Sequence, residues 1–341
     1  MTHSQLLLFF AILISLPISS FGQSQFQVAF WNVENLFDTT DNRSTTDEDF
    51  TPTGKYEWTE ERLNKKCQDL SRVIHDIDSQ NDLAILGLAE IENFQVLKRL
   101  NQQYLKLGMS IIHKESPDER GIDCGLLYDP KLVSLVHKQF ISIYLAGNEK
   151  TRDIIEAEFK LKGASGKHTI YVFVNHWPSR WGGQAVTDPL RLSAALTLRN
   201  RVDQILTLDS QAEIIILGDF NDYPVDPSVH SVLKANKMEI NAYPGDLINT
   251  TWKLHEDPNA GTVMYRGKWT VLDQIIISQG LVNKQLFEWV VNSTQPFAPP
   301  YFIEKGGDHS GWPYRTYRST KYSGGYSDHL PIVCSISCTE L

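Results

Sequence analysis

The chain has 341 residues, and 32 Lys and Arg against 41 Asp and Glu give a formal net charge of −9. An apolar share of 41% supplies a real core and excludes global disorder, while four Cys are too few for a disulfide scaffold. Net acidity argues against coating of nucleic acid by bulk charge, which needs neutralised phosphates, but leaves open an enzyme with a locally basic cleft.

The first segment reads as an address rather than as part of the fold. Leu6 to Ile14 is an unbroken apolar run, far shorter than the ~20 residues of a membrane-spanning helix. Ser20 and Gly22 stand at −3 and −1 to a cut before Gln23, the pattern of a secretory signal peptide. Only His3, and no Lys or Arg, precedes the run, which departs from that pattern. A retained lipid-facing anchor is the competing reading. Residues 1–22 are expected to be removed, leaving 23–341 as one secreted or periplasmic domain without a transmembrane segment. The removed piece holds no Asp, Glu, Lys or Arg, so the mature chain keeps the −9.

In chain order, Phe26–Trp31 is predicted as a strand that stops at Asn32. Glu60–Asp78 is predicted as a helix, because Leu63, Cys67, Leu70, Ile74 and Ile77 share one face of a helical period. Leu83–Leu88 is an apolar strand running on to Glu90, followed by a helix over Phe94–Lys106. Strands are predicted over Leu126–Tyr128, Leu132–Ile143, Ile154–Leu161 and Thr169–Asn175, the last ending at His176. Thr187-Asp188-Pro189 sets a helix start with Pro in the first turn, and that helix runs to Leu208. Glu213–Leu217 is a buried strand followed by Gly218-Asp219-Phe220-Asn221. The Val271–Ser278 strand carries Asp273 near its start, and Asp328-His329 precedes a final strand, Pro331–Ser337. Strands outnumber helices about two to one, which favours one α/β domain with two sheets and outer helices. Residues 240–268 and 296–327 are loop-rich, and such long loops in a compact domain are usually functional.

Export would place the cysteines in an oxidising compartment. Cys67 falls on a helix, Cys124 on a strand, and Cys334 and Cys338 near the C-terminus. One bridge and buried free thiols are both open readings. No Cys/His spacing resembles a zinc site.

The strand ends carry the functional signal. Asn32, Glu90, His176, Asp219, Asp273 and Asp328-His329 each stand where an apolar run meets a boundary. A carboxylate in that position is desolvated unless it is paired or bound to metal. Taken singly, each residue has an ordinary turn or core explanation; together they do not.

The ordered set Asn32-Val33-Glu34-Asn35, Leu88-Ala89-Glu90-Ile91, Asn175-His176, Gly218-Asp219-Phe220-Asn221, Leu272-Asp273 and Ser327-Asp328-His329-Leu330-Pro331 resembles the endonuclease/exonuclease/phosphatase family. These are the deoxyribonuclease-like metal phosphodiesterases. The resemblance implies a four-layer α/β sandwich: two stacked, mainly antiparallel sheets flanked by helices, with the site at one edge. It also implies phosphodiester hydrolysis supported by Mg²⁺ or Mn²⁺, as one ion or two. Hard cations take oxygen ligands, which makes Glu90 the leading candidate, with Asp328 next and Asn32 offering an amide oxygen.

By the same resemblance, Asp219 positions or deprotonates the attacking water, and Asn221 orients that water or the phosphate. Asp273 and His329 would form a carboxylate–imidazole pair, which favours the protonated ring. His176 would donate to a phosphate oxygen or to the leaving group. Which imidazole is acid and which is base stays open. Asp123 is a candidate orienter of His176, and Arg120 and Arg180 are candidate phosphate holders. Gly307-Asp308-His309-Ser310 repeats the Asp-His pair in a Gly-rich loop with no strand after it, and reads as loop chemistry.

Between Asp308 and Asp328 there is no acid, while Arg315, Arg318 and Lys321 alternate with Trp312, Tyr314, Tyr317, Tyr322 and Tyr326. Basic groups hold phosphates and aromatic rings stack on bases, so nucleic acid is the expected substrate. No stable protein partner is implied, and a monomer is expected. A sphingomyelinase-like phospholipid phosphodiesterase would need an exposed apolar element, for which residues 296–303 are the candidate. An inositol or sugar phosphate phosphatase shares the chemistry. A secreted binding module without catalysis is the alternative from another class; the complete set of candidate residues speaks against it.

Overall fold

A computed structural model describes residues 24–145, 149–162, 169–238, 245–283 and 286–338. The predicted leader lies outside the described residues. In chain order the strands are β1 (Ser24–Leu36), β2 (Leu83–Ile91), β3 (Ser110–His113), β4 (Asp123–Tyr128), β5 (Val133–Ile141), β6 (Ile154–Leu161), β7 (Ile170–His176) and β8 (Glu213–Asp219). They continue as β9 (Ala235–Asn236), β10 (Leu247–Asn249), β11 (Val263–Tyr265), β12 (Lys268–Thr270), β13 (Asp273–Ile277), β14 (Phe287–Trp289), β15 (Gln295–Pro296), β16 (Tyr317–Arg318), β17 (Lys321–Tyr322) and β18 (Ile332–Cys338). The helices are α1 (Glu60–Asp78), α2 (Phe94–Arg99), α3 (Gln184–Leu208) and α4 (Trp252–Glu256).

One large sheet runs β14-β18-β1-β2-β4-β3, with β15 also on β18; the other runs β5-β6-β7-β8-β13-β10-β9. Pairing is mostly antiparallel, but β1 and β2 are parallel, as are β7 and β8 and the short β9 and β10. Alternation along β1 sets the layers. Phe26, Val28 and Phe30 belong to the core between the sheets, with Val172, Val174, Ile215 and Leu217. Ala29 and Trp31 belong to the core under α1, with Leu70 and Ile74. On the far side, Phe173, Ile214 and Ile216 pack with Leu198 and Val202 of α3. Central strands are therefore buried on both faces, which is why they read as continuous apolar runs. The four-layer sandwich expected from the sequence is the observed architecture.

The α1 helix has the predicted bounds, and its Thr59 cap accepts from the Arg62 amide. The second helix is shorter than predicted: α2 ends at Arg99, the chain widens into π-type turns over Leu100–Leu105, and Lys106 turns left-handed at φ 55°. The α3 helix starts before Thr187, at Gln184, and carries Pro189 inside. Its first turn holds because the Thr187 hydroxyl donates back to Gly183 O at 3.0 Å and Arg191 donates to Thr187 at 2.8 Å.

All four cysteines are free and buried. Burial pushes the thiols of Cys67, Cys334 and Cys338 up to about 12. Residues 296–303 pack inward rather than forming an exposed apolar element: Phe302 is fully buried, and Phe297, Tyr301 and Ile303 pack on the core under α1. No helix among the described residues is long and apolar enough to cross a membrane.

Candidate active site

Two strand pairings deliver the polar ends to one rim. In the β7–β8 register His176 lies beside Asp219, and in the β8–β13 register Asp219 lies opposite Asp273. Gly218 permits this spacing, since a Cβ there would stand 2.7 Å from both Asn175 Cβ and Asn175 O. From the other sheet come Asn32 and Glu90. Asn32 pairs with Ala89 and Leu36 with Ile91, so β1 carries extra residues in a bulge; β2 is also irregular against β4 between Ala89 and Ile91. Bulges re-aim side chains. Here they coincide with left-handed backbone at Glu34 (φ 54°), Asn35 (φ 56°) and Glu90 (φ 64°), and Asn221 (φ 51°) repeats it after β8. Left-handed non-glycine residues are costly, and their concentration at one rim marks a functional site.

Hydrogen bonds join the two sheets across this rim. Asn32 Nδ2 donates to Asp219 Oδ2 at 3.1 Å, and the Asn221 amide donates to Asp219 Oδ1 at 2.9 Å. The Ser327 hydroxyl donates to Asn32 O at 2.7 Å and accepts from the His329 amide at 3.0 Å. The Asp273 carboxylate faces His329 Nδ1 at 2.8 and 3.0 Å. A cleft of about 470 Å³ opens above these groups, lined also by Asp118, Arg120, Arg152 and Trp181.

The two imidazoles are opposites. Burial disfavours charge on His329, but Asp273, then Asp328 and Asp219, raise its pKa well above the ordinary value. Burial drives His176 well below it, with Arg152 and Arg120 adding to the effect. His176 Nε2 stands 3.7 Å from Asp219 Oδ2 and 4.0 Å from Glu90 Oε1, and its Nδ1 is buried without a hydrogen-bond partner. Burial also pushes Asp219 up to about 6, with Asp273 adding and His329 opposing.

The candidate metal ligands are each anchored through one oxygen. Glu90 Oε2 accepts from the Asn35 amide at 2.9 Å, and Asp328 Oδ2 accepts from Arg315 Nη2 at 2.7 Å. Glu90 Oε1 faces the cleft beside Arg120 Nη2 at 3.7 Å, and Asp328 Oδ1 stands 4.0 Å from His329 Nε2. An all-oxygen donor set of two carboxylates and the Asn32 amide fits a hard divalent cation. Burial would raise the Asp328 carboxyl, but Arg315 and His329 hold it below its ordinary value.

Three expectations are corrected. Asp123 does not orient His176; it faces His113, with Oδ2 3.6 Å from Nε2. Arg180 turns away from the cleft: it donates to Asn221 O at 2.6 Å and pairs with Asp222 and Asp226. The arginines of the basic–aromatic segment are engaged by the protein's own carboxylates, while Lys321 is exposed. Arg315 pairs with Glu34 and Asp328, Arg318 pairs with Glu304, and Tyr317 and Tyr326 are buried. Asp308 is exposed in its glycine-rich loop and His309 packs edge-on against Trp312 at 4.8 Å.

Asp118 and Arg152 escaped the sequence reading. They are buried and bonded at 2.9 Å, and Arg152 also donates to Trp177 O at 2.8 Å. The available signal was position: Arg152 stands just before β6, and Asp118 shares a loop with Arg120. Glu34 and Lys66 were also missed. Glu34 accepts from the Thr316 amide, and Lys66 Nζ donates to Thr316 Oγ1 and Tyr326 O, both at 2.6 Å, behind Asp328.

Residues 27–338 match the Endonuclease/Exonuclease/phosphatase family. The chain belongs to that family. Solved structures of the same fold include the human Nocturnin catalytic domain with bound sulfate anion, at 19% identity and TM-score 0.56, covering 92% of this chain and 95% of that one. The D. rerio TDP2 complexed with single strand DNA product is similar at 13% identity and TM-score 0.55, over 92% and 99% of the two chains. An endonuclease/exonuclease/phosphatase family protein from Bacteroides thetaiotaomicron is similar at 14% identity and TM-score 0.56, over 94% and 97%. No curated protein matches the sequence. Members of the endonuclease/exonuclease/phosphatase family are divalent-metal-dependent hydrolases of phosphoester bonds, and the oxygen-rich rim described above is consistent with that chemistry.

Proposed function

We propose that the chain is an exported, monomeric nuclease that hydrolyses phosphodiester bonds of DNA or RNA by water attack on phosphorus. The observation that carries the reading is Asp219. Its carboxylate is fixed by Asn32 and the Asn221 amide, and its pKa of about 6 suits a base working near neutral pH. Mg²⁺ or Mn²⁺ held by Asn32, Glu90 and Asp328 would supply charge neutralisation at the phosphate.

Asp219 accepts the proton of the attacking water. Charged His329, oriented through Nδ1 by Asp273, presents Nε2 to a phosphate oxygen, where negative charge grows. Neutral His176 stands beside Asp219 and Glu90, and as the P–O ester bond breaks the leaving oxygen takes a proton from His329 or His176. Arg120 and Arg152 bring positive charge to the cleft, and Trp181, 90% exposed at its edge, offers a ring for base stacking. The DNA product bound by the D. rerio relative supports a nucleic-acid substrate. Residues 23–341 as one domain behind a cleaved leader is part of the same reading.

The test is a substrate panel with and without EDTA: duplex DNA, single-stranded DNA, RNA, sphingomyelin and inositol phosphates. Metal-dependent degradation of a nucleic acid, lost in Asp219→Ala, is the expected result. Turnover of sphingomyelin or inositol phosphates alone would move the substrate to those classes. No turnover in any arm would overturn the reading.

A further inference from the structure

We propose that His113, Glu115 and Asp123 form a second metal site, suited to a zinc-type ion, at the root of the loop that carries Asp118 and Arg120 to the cleft. It does not depend on the function proposed above.

His113 closes β3 and Asp123 opens β4; because these strands pair, their ends meet across the loop. The His113 and Asp123 side chains are 1% and 3% exposed, while Glu115 is 61% exposed. His113 Nε2 is buried with no hydrogen-bond partner. It points at Asp123 Oδ2 across 3.6 Å, which is too long for a hydrogen bond. Two ligand atoms of a tetrahedral zinc site at ordinary bond lengths stand about 3.4 Å apart, so the observed gap matches one edge of such a site. Asp123 Oδ1 is held by the Ser116 amide at 2.9 Å, which leaves Oδ2 to face the ring.

Glu115 Oε1 stands 3.9 Å from His113 Nδ1 and accepts from the Phe94 amide at 3.4 Å. One ligand atom from each of the three residues lies within 4.8 Å of the others. Glu115 stands on the Nδ1 side of the ring, so its exposed side chain would turn toward Nε2 to supply the third vertex. An unpaired buried imidazole nitrogen is costly, and an ion between it and the Asp123 carboxylate satisfies it. Burial holds His113 neutral, with its pKa down at about 4, so the ring nitrogen has a lone pair to offer.

The donor type separates this site from the Glu90–Asp328 oxygen set, although the cleft also holds an imidazole with two carboxylates in Asp219, Asp273 and His329. Imidazole with carboxylates suits zinc or cobalt, whereas the all-oxygen set at Glu90 and Asp328 suits magnesium or manganese. An ion at the loop root would tie its two ends together. Arg120 would then be presented from a fixed base, together with Asp118, which holds Arg152.

The experiment uses the full chain carrying Glu90→Gln and Asp273→Asn, which weakens both donor groups of the cleft as competing sites. Zn²⁺ is added, the protein is dialysed, and retained metal is counted; Co²⁺ absorption reports the ligand field. One retained equivalent is expected, with binding weakened more than about tenfold by His113→Asn and, separately, by Glu115→Gln. Glu115 is mostly exposed, so its variant tests ligation without threatening the fold. No retained zinc, or full retention by either variant, would overturn the site.

Discussion

Two segments of this molecule bring arginine toward the same rim, and they do different things with it. Residues 309–327 are the more basic on paper, yet Arg315 is engaged by Glu34 and Asp328 and Arg318 by Glu304. Residues 114–122 carry acids as well as Arg120, yet Arg120 keeps 53% of its side chain exposed and lines the cleft. Formal charge counts residues; what a phosphate meets is the charge left after the fold has paired its own groups. The first segment is a strap whose arginines hold carboxylates in place, and the second is a wall that faces substrate.

The largest expected effect lies at the end of β8, on the rim the wall faces. Asp219→Asn keeps the shape of the side chain and removes the base, so kcat should fall by about a thousandfold on an aryl phosphodiester with Mn²⁺. An unchanged rate would move catalysis away from this rim and void the comparison. Next comes the wall itself. Arg120→Gln should lower kcat/KM by about ten- to a hundredfold without loss of thermal stability, as expected for one charged donor near a developing oxyanion. A loss of stability instead would make Arg120 another internal strut, like Arg318.

A pH profile sharpens the contrast further. Asp219 must be ionised to act, so kcat/KM should fall about tenfold per unit as pH drops below about 6. Stability carries the opposite sign. A carboxyl whose folded pKa is raised contributes stability that is fully present below its unfolded value and lost as pH rises through about 6. Activity and this part of stability should therefore cross, which parallel rate and thermal-melt profiles would detect. An acid limb in the ordinary carboxylate range would show that the bound cation, rather than burial, sets the ionisation of Asp219 during turnover.

Much of the frame was legible because strands buried on both faces leave long apolar runs, and those runs end where polar groups are needed. Asn32, Glu90, His176 and Asp219 were found in that way, and α1 showed its buried stripe directly. The remainder depends on contacts far apart in sequence. Nothing local marks Arg315 as the partner of Glu34, or Asp123 as the neighbour of His113 rather than His176. Arg152 enters the cleft only because β6 lies beside β7. The bulges at Asn32–Leu36 and at Glu90 leave no compositional trace, since non-glycine residues occupy the left-handed positions.

The smallest effect is the one that isolates the strap. Arg318 contacts Glu304 and sits over Trp312 at 5.9 Å, and it does not line the cleft. Arg318→Gln should change kcat/KM on DNA by less than about twofold, the scale of an already paired charge acting only through the long-range field. That difference is readable against Arg120→Gln in the same assay at low and at high salt. If Arg318→Gln instead costs tenfold and flattens the salt dependence, the strap touches the nucleic acid after all. Its three cations and Arg120 of the wall would then belong to one continuous phosphate track.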